Sequence, residues 1–427
     1  MKYTQNDRIS QLTETTLIVG VDIASQIHYA RAFDFRGIEH GKVVKFTNDL
    51  EGFMKLQLWI EDLCARHKKD HIVIGMEPTG HYWFSLAEHA KSHGIKAVLV
   101  NPYHVKRFKE LDDNNPTKND RKDPKTIAML VKDGRYVTPY IPDGVYSELR
   151  TAMSIRSRIT KQLSSVKNRV KRWFAIYFPE FNTVFASWEG KAAQICLEKF
   201  PTPLLVLEQG VSGITHHWKE ARLRAVGIKR ATKLYKAAQR SVGISQGLMA
   251  AREELNLLLE EYTLLKRQEQ RIMAMVEELL PQIPVCQELL KIKGVGLITV
   301  AGFLSEVGDI TRFDSPKQIQ KHAGLNLKEN SSGKHKGRTT ISKRGRSGLR
   351  ALLFRTVMPL VAKNDEFREL HRYYTTRLEN PLTKKQSLVA LMCKLIRVFY
   401  AILTKNVAYD GRKMLNDIQR PALQLAA

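Results

Sequence analysis

The chain has 427 residues, enough for two or three domains, and its hydrophobic content of 43% can build an ordinary globular core. Lysine and arginine total 69 against 43 acidic residues, so the formal net charge is +26 and the pI is near 9.8. This excess favours a polyanionic partner, with nucleic acid first, although an anionic membrane surface would also attract it.

Other features narrow the class of protein. We find no apolar run of the about 18 residues that a membrane-spanning helix needs, so we expect no membrane partner. The segment Met1–Glu14 is polar and lacks the apolar centre of a signal peptide. The cysteines are widely separated and form no CxxC pair, which indicates free thiols in a reducing cytoplasm. They are Cys64, Cys196, Cys286 and Cys393.

The first third of the chain predicts three strands followed by alternating helices and strands. Period-two alternation and short apolar runs indicate strands, and apolar spacing of three or four residues indicates helices. This order favours a mixed sheet of the ribonuclease H type over a fully parallel, doubly wound sheet. The predicted strands are Leu17–Ala24, His28–Phe35, Lys42–Phe46, His71–Glu77 and Lys96–Val100, and the predicted helices are Leu50–Ala65 and one through Trp83, Leu86 and Ala87.

Four acidic residues in this region are candidates for a site. Asp22 interrupts a buried strand and Glu77 ends another, where an unpaired carboxylate costs several kcal/mol unless it finds a partner. Asp120 and Asp123 are three residues apart, which on a helix places both carboxylates on one face, about 5–6 Å apart at Cβ. Such oxygen ligands suit Mg²⁺, and two such ions stabilise the attacking and leaving oxygens at a phosphodiester.

Each acid also has an ordinary structural explanation. For Asp22 the alternative role is that of a structural aspartate held by hydrogen bonds. For Glu77 it is that of an acid that stabilises the first turn of the following helix. For Asp120 and Asp123 the alternative is a solvated helix start whose negative charge is neutralised by neighbouring cations. One of these cations, Lys118, is also a candidate nucleic-acid contact. The four together, in the order D-E-D-D, favour the metal site.

The middle of the chain is predicted to be helical and basic. Apolar residues recur every three or four positions from Ile155 to Trp173, with lysine and arginine between them. Acids are nearly absent from Arg150–Tyr177, so a phosphate-facing helix and a solvated charged face both stay open. The candidate nucleic-acid contacts on this helix are Arg156, Lys167 and Arg169. A second basic cluster, Lys219–Lys236 with Gly227, is a candidate DNA-binding insert of the helix-hairpin type.

A heptad-like pattern follows the insert. Apolar residues from Leu248 to Leu279 step by three and four, with Glu269 as a polar exception, which predicts a coiled coil. Such a seam favours a homo-oligomer, either a dimer or a tetramer. One helix of a bundle within the chain is the alternative.

Two glycine-containing features mark the last third. Gly294 and Gly296 separate two predicted helices, and such a turn can present N–H groups to a phosphate, as in a helix-hairpin-helix. The segment Ala323–Arg350 is polar, glycine-rich and densely cationic, so it would attract a sugar-phosphate backbone. Its candidate contacts are Lys334, Lys336, Arg338, Lys343, Arg344 and Arg346. By composition alone, each serine in it is an ordinary turn residue.

Four stretches of the first third resemble the DEDD transposases of the insertion-sequence one-ten family, whose N-terminal domain is similar to the Holliday-junction resolvase RuvC. They are Val19–Ala24, Gly75–Tyr82, Val100–Pro102 and Lys118–Asp123. The resemblance implies that Asp22, Glu77, Asp120 and Asp123 form the metal-binding tetrad. Pro124 replaces the alanine that often follows in the family, and because proline suits a first turn, the helix would then start at Asp123.

The segment Ser331-Ser332-Gly333, followed by Lys343-Arg344-Gly345, is similar to the family's C-terminal transposase motif. The resemblance implies that Ser332 is the nucleophile, although Ser331 makes the assignment ambiguous by one residue. It also implies a coiled-coil segment between the conserved domains and a non-coding bridge RNA that pairs with donor and target DNA.

We therefore predict an α/β plus all-α protein with three domains. These are a RuvC-like domain over residues 1–145, a helical coiled-coil region over 146–285, and a helical transposase domain over 286–427. The predicted function is Mg²⁺-dependent recombination of an insertion sequence through a covalent phosphoserine. The residues without the resemblance indicate only a metal-dependent enzyme acting on nucleic acid. A RuvC-like junction nuclease that uses water, and a basic coiled-coil regulator that is not an enzyme, remain as alternatives.

Overall fold

The structure is a computed structural model that describes residues 4–112, 123–328, 331–332, 335–337 and 339–415. For residues 110–112, 331–332 and 335–336 it describes the backbone alone. The chain forms two compact units, residues 1–141 and 142–427. The division into three domains remains a prediction.

The first unit is a mixed six-stranded sheet with helices on both faces. The strand order is β3-β2-β1-β4-β5-β6, in which β1, β4 and β5 are parallel and the other pairs are antiparallel. This confirms the predicted mixed sheet. The elements are α1 (Gln5–Ser10), β1 (Thr16–Asp22), β2 (Ile27–Phe33), β3 (Glu39–Thr47), α2 (Leu50–His67), β4 (His71–Met76), α3 (Trp83–Ser92), β5 (Lys96–Val100), α4 (Pro102–Asp112), α5 (Asp123–Lys132) and β6 (Tyr136–Val137).

The two faces of the sheet bury different helices. On β1, Leu17, Val19 and Val21 belong to the core beneath α2 and α3, whereas Ile18 belongs to the core beneath α5. Because side chains alternate along a strand, Gly20 and Asp22 face the α5 side. A Cβ on Gly20 would lie 1.9 Å from the carbonyl oxygen of Pro124, so the missing side chain lets α5 rest directly on β1.

Replacing Gly20 by Ala should therefore destabilise the protein. The added methyl group forces α5 away from β1, and we expect a loss of about 3 kcal/mol in the free energy of unfolding, measured by urea denaturation. Gly190→Ala is the control, because its added Cβ would approach no atom closer than 3.7 Å. Its effect should stay below about 1 kcal/mol. Equal losses in the two variants would contradict this account of the packing.

The second unit is mostly helical. Its helices are α6 (Gly144–Tyr177), α7 (Phe181–Val184), α8 (Lys191–Lys199), α9 (Pro203–Glu220), α10 (Ile228–Gln239), α11 (Leu248–Leu279), α12 (Cys286–Leu290), α13 (Leu297–Val307), α14 (Pro316–His322), α15 (Ser347–Lys363), α16 (Asp365–Thr376), α17 (Lys384–Lys405) and α18 (Gly411–Leu415), with short 3₁₀ helices at Leu280–Gln282 and Ile310–Arg312. Its strands are β7 (Leu327–Lys328), β8 (Ser331–Ser332), β9 (His335–Lys336) and β10 (Thr340–Ile341). Strands β7 and β10 pair antiparallel, as do β8 and β9.

Two long antiparallel helices, α6 and α11, connect two hydrophobic cores in this unit. Leu149 and Ala152 of α6 lie in the core with α12–α18, and the rest of its buried residues lie in a core with α7–α10. Trp173 Nε1 donates a hydrogen bond to the Ala251 carbonyl at 2.7 Å, and Arg156 lies 3.6 Å from Glu269, which gives the antiparallel direction.

This packing bears on the predicted coiled coil. The seam residues of α11 are buried within a single chain against α6 and its neighbours, which is the alternative that the sequence left open. They include Ala251, Leu255, Leu258, Tyr262 and Leu265. Because one chain already covers these residues, the regular seam gives no support to an oligomer.

The expectation about membrane-spanning runs needs a correction at α17. By length and composition this helix, Lys384–Lys405, could cross a membrane. In the structure its apolar face, which includes Leu391, Leu395 and Phe399, is buried in the C-terminal core. An apolar helix of this kind is as typical of a core as of a membrane.

The four cysteines are free thiols, as predicted.

Candidate active site

Two of the predicted acids are neighbours at the carboxyl ends of the central strands. Val21 of β1 is the register partner of Met76 on the parallel strand β4. Asp22 and Glu77 are the next residues, so their backbones lie about 4.8 Å apart, the spacing of paired strands. Val73 lies in the core beneath α5, whereas Ile74 and Met76 lie in the opposite core, so alternation places Glu77 on the α5 side with Asp22.

Helix α5 brings a third predicted acid to this end of the sheet. It begins at Asp123, with Pro124 in its first turn, and it packs on Gly20 and Gly75 of the two strands. Asp120 lies outside the described residues, so the shared helical face of Asp120 and Asp123 stays a prediction.

The charges at this end of the sheet influence one another. The Lys109 ammonium group lies 2.5 Å from the Asp123 carboxylate, whose side chain is 23% exposed. Burial raises the pKa of Glu77 above its usual range, and the Asp123 charge raises it further, while Lys109 opposes both. Glu77 is therefore a carboxylate that additional positive charge would stabilise in its ionised form.

These oxygen donors suit a hard divalent cation such as Mg²⁺. A bound cation would oppose the burial and the Asp123 charge, which together raise the pKa of Glu77. Among the residues that the structure describes, no group of three His, Cys, Asp or Glu side chains is arranged to hold a metal ion. The three described acids thus lie at the same end of the sheet, but by themselves they do not form a metal-binding group.

Sequence reasoning missed Lys109 because it did not predict α4. The sequence around it, Arg107-Phe-Lys-Glu110, is a short mixed-charge stretch whose apolar positions are too few to indicate a helix face. Only the folded chain shows that this lysine, from a neighbouring helix, neutralises Asp123.

The candidate contacts on α6 have partners within the second unit. Arg156 lies 3.6 Å from Glu269, Lys167 lies 2.5 Å from Glu189, and Arg169 pairs with Glu261. These acids come from α11 and the α7–α8 connection, so the near absence of acids along α6 itself was misleading. Arg156, Lys167 and Arg169 thus have acidic partners within the chain, and their role as phosphate contacts stays a prediction. The exposed cations of α6 without an ion pair among the described residues are Arg158, Lys161, Lys171 and Arg172.

The two serines of the last third lie on β8, which pairs with β9 in a short antiparallel hairpin. Ser332 is on β8, where its register partner is His335 on β9, and only the backbone of these residues is described. Ser331 is paired with Lys336 in the same way. Lys118, Lys334 and Arg338 lie outside the described residues. Their roles stay predictions.

The cationic turn that follows is held by its backbone. The Lys343 N–H donates to the Gly324 carbonyl at 3.0 Å, and the Arg346 N–H donates to the His322 carbonyl at 2.7 Å. A Cβ at Gly345 would lie 2.4 Å from that same His322 oxygen. Since the backbone is fixed, the side chains of Lys343, Arg344 and Arg346 are presented to solvent, and Arg346 lies 3.6 Å from Glu306.

The predicted glycine turn separates α12 from α13. Gly294 has a φ of +99°, which favours glycine, and Gly296 is the N-cap of α13 with open space around it. Helix α12 has only five residues. The turn is as predicted, whereas its use as a helix-hairpin-helix that binds DNA stays a prediction.

His322, beneath the cationic turn, should make stability depend on pH. Burial, with Arg312 and Arg346 nearby, lowers its pKa from 6.5 to about 4. The unfolded chain therefore binds more protons between these values, and stability falls as the pH falls from about 6.5 towards 4. His322→Gln should remove about 1 kcal/mol of the difference in unfolding free energy between about pH 7.5 and about pH 5. An unchanged pH profile in the variant, measured by chemical denaturation, would contradict this.

Comparisons with known proteins agree with this organisation. A family model for DEDD transposases of the IS110 type matches residues 19–179. A second model, described as Transposase IS116/IS110/IS902 family, matches residues 286–372. Together they match more than half of the chain.

Curated relatives align along most of the chain. A pilin gene-inverting protein of Moraxella bovis is 25% identical over 401 residues, which cover 92% of this chain and 98% of the relative. The transposase for insertion sequence element IS1111A of Coxiella burnetii is 24% identical over 397 residues, which cover 92% and 91%. An insertion element IS110 protein of Streptomyces coelicolor is 21% identical over 326 residues, which cover 76% and 79%.

Proposed function

Because the chain belongs to the transposases of the IS116/IS110/IS902 family, we propose that it cuts and rejoins DNA through a serine nucleophile and the D-E-D-D carboxylates. The observation that carries this proposal is the position of Asp22, Glu77 and Asp123 at the same end of the sheet. The residues come from two strands and a helix that are far apart in sequence. A structural role for each acid separately does not explain why all three lie at this end of the sheet.

The carboxylates would hold a divalent cation. Asp22, Glu77, Asp123 and Asp120 supply oxygen ligands, and a Mg²⁺ ion bound by them would stabilise negative charge on a phosphodiester. The fold must then hold these carboxylates, and with them the cation, in a fixed position. Helix α5 fixes Asp123 relative to the strand ends because the glycines of β1 and β4 allow close contact.

The serine would perform the covalent step. The Ser332 oxygen bonds to phosphorus as the bond from phosphorus to one deoxyribose oxygen breaks, leaving a phosphoserine and a free DNA hydroxyl. A DNA hydroxyl from the recombining partner then attacks the phosphoserine and releases Ser332, so the number of phosphodiester bonds is conserved. The exposed cations of the following turn, Lys343, Arg344 and Arg346, would offset charge on the phosphate.

The partners follow from this activity. Donor and target DNA are the substrates, and an element-encoded bridge RNA would select them by base pairing while the protein contacts backbone and shape. Two cut sites must be held together during exchange, so we propose a dimer or tetramer, assembled through surfaces other than the buried seam of α11.

We expect the protein in the cytoplasm. Two relatives are named pilin gene-inverting proteins, and the inversion of a gene is compatible with the same steps of cleavage and rejoining.

The decisive experiment traps the covalent intermediate. The full chain is incubated with RNA transcribed from the sequence flanking its reading frame and with labelled DNA carrying the element's ends, with and without Mg²⁺. We expect a protein–DNA adduct that forms only with Mg²⁺ and that peptide mapping assigns to Ser332. An adduct on another residue, or cleavage that releases DNA ends without any adduct, would overturn the serine mechanism.

A further inference from the structure

The hairpin formed by α9 and α10 is a strongly cationic surface that neither family model matches. The models end at residue 179 and resume at residue 286. Residues 221–240 contain no Asp or Glu. They contain seven cations, namely Arg222, Arg224, Lys229, Arg230, Lys233, Lys236 and Arg240. A solvated protein surface normally mixes both signs of charge, so this segment differs from an ordinary outer face.

The fold turns these cations outwards. Ala231, Leu234, Ala237 and Ala238 form the buried side of α10, in the core shared with α7–α9. All seven cations are exposed. None has an ion pair among the described residues, although Lys233 donates a hydrogen bond to the Thr183 carbonyl at 2.6 Å.

Two carboxylates, those of Glu220 and Glu180, have identified partners of their own. Glu220 lies 3.2 Å from His216 and 3.5 Å from His217. Glu180 accepts hydrogen bonds from the Ser241 hydroxyl at 2.6 Å and from the Val242 N–H at 3.1 Å. Glu180 keeps its charge and interacts electrostatically with Arg240, whereas no ion pair joins the other six cations to an acid among the described residues.

The loop of the hairpin stands between two hollows. One hollow of about 660 Å³ is lined by Lys219, Arg224, Lys229 and Arg230. The other, of about 410 Å³, is lined by Lys191, Arg224 and Arg230 among others. Arg224 and Arg230 line both, so anionic groups on either side of the loop would meet a guanidinium group.

The positive charges also destabilise the first turn of α10 when no ligand is bound. Lys229 and Arg230 lie in the first turn of α10, where the helix dipole makes positive charge unfavourable. The cap residue Gly227 supplies no side-chain hydrogen bond there. An anion placed between these side chains would relieve both costs, so the hairpin gains stability from an anionic ligand.

We infer that the α9–α10 hairpin is a second nucleic-acid contact, which binds the phosphodiester backbone of a duplex independently of its sequence. A backbone is favoured over unpaired bases because single strands are usually held by exposed aromatic rings on which bases stack. The large exposed hydrophobic side chains of the hairpin are instead aliphatic, with Ile228 at 70% exposure. The duplex phosphates would lie in the two hollows, on either side of the loop.

A binding titration tests this inference without any catalytic step. Fluorescence anisotropy is measured for the full chain with labelled DNA duplex and RNA duplex of random sequence, across about 50–200 mM salt. In the triple variant Arg224→Gln, Lys229→Gln and Arg230→Gln, the slope of log K against log salt should fall by about 2–3. Affinity at about 100 mM salt should weaken at least tenfold, that is by about 1.4 kcal/mol or more.

The matched control removes the same charge elsewhere. Lys42, Lys45 and Lys55 are exposed cations of the first unit that have no ion pair among the described residues, and all three are changed to Gln. Unchanged binding by the hairpin variant, or an equal loss in the control, would overturn the inference. A loss restricted to one duplex supports it and identifies the ligand as DNA or RNA. Because cleavage is not measured, failure of the serine mechanism would leave this result intact.

Discussion

Asp22→Asn should reduce the rate of DNA cleavage by roughly 10³-fold while leaving the protein folded. The substitution keeps the shape of the side chain but removes a charge from the cluster with Glu77 and Asp123. If the cluster contributes several kcal/mol of transition-state stabilisation, about 4 kcal/mol of lost stabilisation corresponds to three powers of ten in rate. Single-turnover cleavage of labelled element ends measures this, and adduct formation should fall in parallel.

The same chemical change at the other end of the sheet is the control. Asp70 immediately precedes β4, the strand that Glu77 follows, and its side chain is 67% exposed. Asp70→Asn should therefore cleave at the wild-type rate. If Asp22→Asn cleaves as fast as Asp70→Asn, Asp22 has only a structural role and the carboxylate site is refuted.

Ser332→Ala should abolish the covalent adduct and strand exchange while DNA binding is retained. The variant lacks the oxygen that would bond to phosphorus, and no other group replaces it at that position. We expect no detectable adduct and a loss of recombination of at least about 10³-fold, since the nucleophile of a covalent mechanism is indispensable. Adduct trapping and a recombination assay between two plasmids measure the two effects.

The neighbouring serine provides a close control. Ser331 is on the same short strand, one residue away, and its register partner on β9 is Lys336. Ser331→Ala should form the adduct and recombine. An adduct that survives in Ser332→Ala and disappears in Ser331→Ala would move the nucleophile by one residue. Cleavage by Ser332→Ala at the wild-type rate would instead identify a nuclease that uses water.

Local patterns predicted the central sheet well. The predicted strand Lys96–Val100 has the bounds that the structure shows for β5, and β1 and β4 differ from prediction by only a few residues. These strands are buried apolar runs, whose signal does not depend on distant parts of the chain. Strand β6 was missed because its two residues carry no periodicity.

Partners from distant segments were not predictable in the same way. Arg169 and Glu261 are 92 residues apart, and only the antiparallel pairing of α6 with α11 brings them together. A count of charges along α6 therefore suggested free cations where ion pairs exist. The acids at the sheet end were predictable because strand ends are positions that the pattern itself marks. Their counter-ion Lys109 belongs to a helix that the pattern does not mark.

The antiparallel pair of α6 and α11 also sets a distance. Helix α6 enters one core near Leu149 and leaves the other at Tyr177, a rise of about 40 Å at 1.5 Å per residue. Ile341, which follows the serine segment in the chain, packs against the first core, and Leu234 of the cationic hairpin lies in the second. A duplex that touches both ends would span roughly 12 base pairs between them. If both proposals hold, the two helices keep the serine nucleophile and the duplex contact of the hairpin about one turn of DNA apart.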